Sequence, residues 1–278
     1  MRSGGLEKLH IIADFDMTLT KHWIQSTTST EPIRNLSSHA VLERGPAVSE
    51  HFAQHTKQLS EHYYPFEIDT SLDIDTKTKL MIEWWSAAHQ AMIDEKIKKS
   101  QIHAQAEAAN MQFRSGLTEL LDYTHTKKIP FLVFSAGIAD VIEELFRVGS
   151  LDRPNQAVIS NHMEFPGEGE DAPLVGFKEP LIHTLNKGEQ ALHGAPTITD
   201  TVKDALTRRR NVLLMGDSIG DAKMADGFEH DALLKVGFYN FGDEARRQEF
   251  RRTFDVIISG DGALDWVTAL LKFLDQPK

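Results

Sequence analysis

The chain has 278 residues, 41% hydrophobic and 26% charged, enough for one full α/β core plus a smaller domain. A formal net charge of -11 argues against a surface for long DNA or RNA, which needs a basic footprint, and the absence of cysteine excludes disulfides, thiolate catalysis and cysteine-based zinc sites. With no apolar targeting core at the start and no membrane-length run of about 18 apolar residues, a soluble, cytoplasmic protein is expected, a monomer being the favoured state.

Leu9 to Ala13 is short, rich in β-branched residues and without an amphipathic period, as expected for a parallel strand covered on both faces. It empties into Asp14-Phe15-Asp16-Met17-Thr18, and ligands in parallel sheets sit beyond such carboxyl ends. An Asp-x-Asp-x-Thr there has three uses: a Mg²⁺ site, a carboxylate nucleophile for phosphate, or a self-capping turn. Lys21 to Ser38 is polar and irregular and reads as a loop leaving the core. Three helices are predicted next, over Ala47 to His62 (ended by Tyr63 to Asp69), about Asp75 to Lys98, and Ser100 to Met111. Residues 21–113 thus form a mostly helical insertion after the first strand.

The core resumes with a helix over Gly116 to Lys127 and a strand from Ile129 to Phe134 that runs straight into Ser135-Ala136-Gly137. A helix over Ala139 to Val148 and a strand at Ala157 to Ser160 continue the alternation of a doubly wound sheet. Residues 161–177 read as a hairpin or long loop, Glu179 to Leu192 as helical, and His193 to Thr199 as a loop. Strands follow at Val212 to Met215, Leu234 to Gly237 and, at an edge, Val256 to Ile258, with Leu264 to Leu274 as a closing helix. The predicted fold class is α/β: a Rossmann-like core from residues 1–20 and 114–278, with the helical cap of residues 21–113 inserted.

Three strand ends then carry polar residues: Asp14 with Asp16, Ser135, and Gly216-Asp217-Ser218-Ile219-Gly220-Asp221. In a parallel sheet these converge on one edge, where unpaired carboxylates repel one another. A Mg²⁺ ion relieves that repulsion, because it takes hard oxygen ligands and leaves positions for water and phosphate. Lys178 is read as the fixed positive charge for a phosphoryl group.

These four segments, with Lys178, resemble the ordered motifs of the haloacid dehalogenase superfamily of phosphatases. The closer resemblance is to the cytosolic 5′-nucleotidase III family and spans nearly the whole chain. It includes Tyr63-Tyr64-Pro65-Phe66-Glu67, Glu83-Trp84-Trp85, Gly176-Phe177-Lys178, Leu181-Ile182-His183, Asn186-Lys187 and Lys223-Met224-Ala225-Asp226-Gly227. Ala139 departs from it, standing where the family usually has a second glycine.

The resemblance implies a nucleotidase. Asp14 would attack phosphorus, and Asp16 would protonate the leaving ribose oxygen and later deprotonate water. Mg²⁺ would be held by Asp14, the main-chain carbonyl of Asp16 and Asp217, with Asp221 behind or on a bound water. Ser135 and the Ala136 N–H would bind phosphate oxygens, and Lys178 would neutralise moving charge. Base recognition is assigned to Glu67 and Trp85, with the backbone around Ala88 lining the site; His39, Tyr64 and His89 are secondary candidates. An N7-methylated guanine is cationic, which suits a Trp face and a carboxylate. Among family members Glu-Trp-Trp resembles the 7-methylguanosine-phosphate enzymes, and Glu-Trp-Tyr the pyrimidine nucleotidases. The small-molecule partner is therefore a nucleotide. The alternatives are a phosphatase for another small metabolite and a non-catalytic nucleotide binder on a phosphatase scaffold.

Overall fold

A computed structural model describes residues 5–26, 30–69, 71–167, 169–188, 207–227 and 229–276. Its centre is a six-stranded sheet in which every pairing is parallel. The strands are β1 (Leu9–Ala13), β4 (Phe131–Ile138), β5 (Gln156–Asn161), β8 (Asn211–Gly216), β9 (Ala232–Tyr239) and β10 (Val256–Ser259), in the order β10-β9-β8-β1-β4-β5. Two small antiparallel ribbons lie outside it, β2 (Trp23–Ile24) with β3 (Ile33–Arg34) and β6 (Met163–Glu164) with β7 (Gly176–Phe177). The expected doubly wound sheet, its edge strand and the 161–177 hairpin are all present.

Strand β1 is buried on both faces. Leu9, Ile11 and Ala13 join one apolar cluster with α5 (Leu117–Thr126), α6 (Ala139–Val148) and α8 (Asp265–Leu274), while Ile12 joins Leu132, Phe134, Val212 and Leu214 on the other face beside α7 (Glu244–Thr253). The chain adds β4 and β5 on one side of β1, then β8, β9 and β10 on the other, so order reverses at β1 and opens a crevice beyond its carboxyl end. Ala13 lies opposite both Val133 and Met215, which brings Asp14, Ser135 and Asp217 within a residue of one another in register.

The insertion leaves and returns through one neck. Thr20 and Phe113 form an antiparallel bridge, flanked by Lys21 N–H to Gln112 O (2.9 Å) and Arg114 N–H to Leu19 O (2.9 Å). Among the described residues between them lie β2, β3 and four helices, α1 (Ser38–Glu43), α2 (Glu50–Ile68), α3 (Ile74–Asp94) and α4 (Lys99–Ala108). Helices α1 and α4 pack on α6, whereas α2 and α3 pack mainly on each other.

Three local expectations need correction. Helix α2 continues through Tyr63 to Ile68 instead of stopping at His62, although Pro65 cannot donate a helix hydrogen bond; Tyr63 stacks on Trp84 of α3 (centroids 6.0 Å apart), so packing holds the last turns. Helix α1 begins at Ser38, the last residue of the predicted loop, and runs through residues 39–43, for which no element was predicted; Ser37 caps it by accepting from Ala40 N–H (3.2 Å). Residues 179–188 form turns, not a helix, with Asn186 Nδ2 donating to Leu181 O (2.8 Å) and Asn186 Oδ1 accepting from His183 N–H (2.7 Å). The remainder of that predicted helix and the loop at His193 to Thr199 lie outside the described residues.

Arg114, with a fully buried side chain, pins the loop that follows the two aspartates. Its guanidinium donates to Met17 O (2.5 Å), Thr18 O (2.7 Å), Gly262 O (2.9 Å) and Asn240 Oδ1 (3.1 Å), pairs with Asp261 (3.2 Å) and lies 4.2 Å from the Phe238 ring centroid. Met17 has φ +64°, a left-handed conformation that costs a non-glycine residue about 1 kcal/mol or more, and its carbonyl is held by Arg114 and by Asn240 Nδ2 (2.9 Å). Replacing Arg114 by Met takes the guanidinium donor from the Thr18 and Gly262 carbonyls and removes the cation that offsets the charge of Asp261. The expected loss is about 3–5 kcal/mol of unfolding free energy in urea titration.

Candidate active site

Side chains alternate across the end of β1. Phe15 turns into the apolar core, edge-on to Phe146 (5.3 Å) and Phe113 (6.4 Å), so its neighbours Asp14 and Asp16 face the crevice. The Phe15 carbonyl accepts from the N–H groups of Thr18, Leu19 and Thr20, which closes the loop tightly behind them.

Asp14, Asp217 and Asp221 bring one carboxylate oxygen each to within 4.8 Å of one another. Lys187 stands among them: its Nζ donates to Asp14 Oδ1 (2.5 Å) and Asp221 Oδ1 (2.8 Å), both bonds buried. Burial raises the Asp14 carboxyl well above its ordinary range, with Asp221 and Asp217 adding to the shift and Lys187 opposing it. Burial likewise raises Asp217 to about 7, together with the charge of Asp221. Burial works against charge on Lys187, but Asp14 and Asp221 overcome it and hold the ammonium protonated.

The carboxylate of Asp221 also builds its own loop. Its Oδ2 accepts from Asp217 N–H (3.1 Å), Ser218 N–H (2.9 Å) and Ser218 Oγ (2.8 Å), the reciprocal arrangement of a capping box. A Cβ on Gly216 would lie 2.3 Å from that of Asp221, so the strand end requires glycine. Three hard carboxylates and no nitrogen or sulfur donor suit a divalent cation of the Mg²⁺ type.

Asp16 is held apart from that cluster. Its Oδ1 accepts from Ser38 N–H and its Oδ2 from Ser38 Oγ, both at 2.8 Å, at the start of α1. Burial raises its carboxyl, outweighing the lowering by Ser38, Lys187 and Arg34. The Asp16 side chain is not part of the three-carboxylate group. Ser38 was missed in the sequence because α1 itself was not foreseen; the Ser37-Ser38 pair before an apolar run was the available signal.

Ser135 is buried at the end of β4. Its Oγ accepts from Gly137 N–H (3.0 Å), which leaves the hydroxyl proton to be donated outward. A Cβ on Gly137 would lie 2.0 Å from Ser38 Oγ, so this loop packs directly on the residue that orients Asp16.

Lys178 is not in the site. It follows β7, is exposed, donates its main-chain N–H to His162 O (2.9 Å), and its charge acts on Asp140 and His162. The hairpin keeps it outside the crevice, and the turns at 181–186 bring Lys187 in instead. Lys187 was visible in the sequence only within the Asn186-Lys187 pair.

Trp85 is buried, and its Nε1 donates to Ala136 O (2.8 Å), joining α3 to the Ser135 loop. Ala88 and His89 lie buried on the same side of α3, His89 stacked on Phe177 (3.8 Å) and parallel to His39 (6.0 Å). Burial lowers His39 to about 4 and His89 to about 3, so both rings are neutral near pH 7. The Tyr64 ring lies 5.6 Å below the guanidinium carbon of Arg34. Glu67 is raised by burial and drawn back down by Thr184, Arg34, Lys187 and Lys77.

A carboxylate cluster bridged by a lysine, next to a strand-end serine on a doubly wound sheet, defines a phosphatase of the haloacid dehalogenase type, and solved phosphatases of that kind share the fold. A phosphoserine phosphatase captured as a phospho-aspartyl intermediate analogue superposes with a TM-score of 0.55 at 12% identity, over 95% of this chain and 98% of its own. The pyrimidine 5′-nucleotidase (UMPH-1) family model matches residues 17–275, and the chain belongs to that family. Relatives include the 7-methylguanosine phosphate-specific 5′-nucleotidases of Gallus gallus and Homo sapiens, each 36% identical over 275 residues, covering 99% of this chain and 90% and 87% of theirs. Cytosolic 5′-nucleotidase IIIB, solved with cytidine bound, is 31% identical with a TM-score of 0.85, over 98% of this chain and 88% of its own.

The two lysines separate cleanly by mutation. Lys187→Met is expected to lower kcat by about 10²–10³-fold, as for loss of one preorganised charge partner, while Lys178→Ala stays near wild type. Phosphate release from a nucleoside monophosphate measures both.

Proposed function

We propose that this phosphoric monoester hydrolase is a cytoplasmic, Mg²⁺-dependent 5′-nucleotidase that converts nucleoside 5′-monophosphates to nucleoside and phosphate. The observation that carries the reading is the buried Asp14–Lys187–Asp221 arrangement, within ligand distance of Asp217. Residues 21–113, entering and leaving at the Thr20–Phe113 neck, form the cap over this site.

Asp14, Asp217 and, directly or through water, Asp221 would hold the ion, with the Asp16 carbonyl as the main-chain ligand. When bound, Mg²⁺ supplies positive charge that offsets carboxylate repulsion and polarises the phosphoryl oxygens. An Asp14 carboxylate oxygen attacks phosphorus in line, forming an aspartyl-phosphate as the bond to the ribose O5′ breaks. Asp16, its carboxyl raised by burial, gives its proton to that oxygen. It then takes a proton from the water that attacks phosphorus, and phosphate leaves as Asp14 is regenerated. Lys187 neutralises the charge that moves, and Ser135 with the Ala136 N–H holds phosphoryl oxygens.

For the base we assign Glu67 and Trp85, beside Ala88. Trp85 commits its N–H to Ala136, so its ring is what it offers to a base, and Trp84 is stacked on Tyr63. These residues favour 7-methylguanosine monophosphate, with cytidine monophosphate also accepted. The named relatives act on the methylated nucleotide, and the IIIB structure holds cytidine.

Asp14→Asn should fold and lose turnover, and excess EDTA should abolish wild-type activity until Mg²⁺ is restored; full activity in either case ends this mechanism. Glu67→Gln should lower the ratio of kcat/KM for 7-methylguanosine monophosphate to that for cytidine monophosphate. Loss of a carboxylate partner to a cationic base is worth about 1–2 kcal/mol, or roughly tenfold. An unchanged ratio returns Glu67 to a structural role.

A further inference from the structure

We propose that Asn161 is a positioning residue for phosphate binding, and that with Trp85 it clamps the Ala136–Gly137 peptide so that the Ser135 hydroxyl faces the phosphoryl group. The proposal rests on the phosphate-binding role of Ser135 given above.

The starting point is a break in the sheet. Strands β4 and β5 pair at Phe134 with Ile159 and again at Ile138 with Asn161, so β4 carries two more residues than β5 between those pairs. Such bulges re-aim side chains and leave main-chain groups without ladder partners. Here they lift Ser135, Ala136 and Gly137 out of regular pairing. The freed carbonyls are buried and need donors.

The Asn161 side chain supplies them. Its Nδ2 faces Ala136 O (3.0 Å), Gly137 O (2.9 Å) and Ile182 O (2.8 Å), and its Oδ1 accepts from Ile182 N–H (2.9 Å). Three carbonyls on one side and an N–H on the other determine which way the amide points. Asn161 is 1% exposed, so nothing but these partners satisfies it. Trp85 adds a second donor to Ala136 O at 2.8 Å, coming from the inserted helix α3.

The consequence follows from peptide geometry. The carbonyl of Ala136 and the N–H of Gly137 belong to one planar unit and point in opposite directions. Holding the carbonyl on Asn161 and Trp85 therefore holds the Gly137 N–H on Ser135 Oγ (3.0 Å). That bond uses an acceptor lone pair of the hydroxyl and leaves its proton for a phosphoryl oxygen. The same amide also bonds the Ile182 main chain through both its oxygen and its nitrogen. Trp85 makes the seating of α3 part of the same clamp.

The test is steady-state kinetics with Mg²⁺ on cytidine monophosphate and on p-nitrophenyl phosphate, which has no nucleobase. Asn161→Asp keeps the shape but loses the donors; it should lower kcat on both substrates by about 10²-fold with KM changed far less. Trp85→Phe removes the indole N–H together with part of the ring; loss of that one neutral hydrogen bond should lower kcat on both by roughly fivefold. In a Ser135→Ala background, Asn161→Asp should add little, because it acts through the hydroxyl already removed. Circular dichroism and thermal unfolding check the fold, and Trp85→Phe decides if Asn161→Asp does not fold. Wild-type kcat on p-nitrophenyl phosphate in Trp85→Phe, or full additivity of Asn161→Asp with Ser135→Ala, overturns the proposal. A wild-type kcat for Ser135→Ala would instead overturn the phosphate-loop reading beneath it, whereas an impaired Ser135→Ala beside unaffected Asn161→Asp and Trp85→Phe sinks the clamp alone.

Discussion

Three carboxylates crowded at the end of a parallel sheet are unstable without positive charge, and in this chain Lys187 supplies it from within the protein. Its ammonium is bonded to Asp14 and Asp221 in a buried setting, where the interaction is strong and where loss of any one partner leaves an unpaired charge. The rest of the site is arranged around that constraint. Asp221 spends its other oxygen on the Asp217–Ser218 backbone, and the turns at 181–186 exist in a form that delivers the lysine. A divalent ion and a phosphate dianion enter the same balance, so the cluster is prepared for an anionic substrate although the chain as a whole is acidic.

The two aspartates that follow β1 differ because their surroundings do. They are separated by one residue, yet Asp14 faces a lysine and other carboxylates while Asp16 faces the hydroxyl and N–H of Ser38. Burial raises both carboxyls, but only Asp14 is paired directly with an ammonium, whereas Asp16 is bonded to neutral donors. The division depends on a sharp turn after Asp16, with Met17 in a left-handed conformation, and Arg114 secures that turn from the point where the insertion rejoins the core. The neck is thus mechanically part of the catalytic loop.

The insertion is not a uniform lid. Helices α1 and α4 lie on α6, and α1 presents Ser38 to Asp16, whereas α2 and α3 carry Glu67 and Trp85. The residues proposed for specificity and the one that holds Asp16 therefore lie in different parts of one inserted segment. Trp85 connects them, being both a candidate for base contact and a hydrogen-bond donor to the phosphate loop.

The sheet was legible in the sequence because each parallel strand is a short apolar run, and the runs from Leu9, Ile129, Val212 and Leu234 need no distant partner to be noticed. Asp14, Asp16, Ser135 and Asp217 were legible for the same reason, since a residue just past such a run must lie at the sheet's carboxyl edge. Lys187 was not, because a lysine on a loop gains its role only when turns carry it back to the aspartates, and Lys178 beside a recognisable hairpin was an equally plausible reading. Ser38, Arg114 and Asn161 were invisible in a stronger sense: the side-chain hydrogen bonds described for them reach partners at least 22, 96 and 21 residues away, and no local pattern encodes them. Local hydrophobic pattern determined the strands and the residues at their ends; only tertiary structure decided which distant side chains neutralise, orient and hold those residues, because buried charge and buried carbonyls take whatever partner the fold brings within reach.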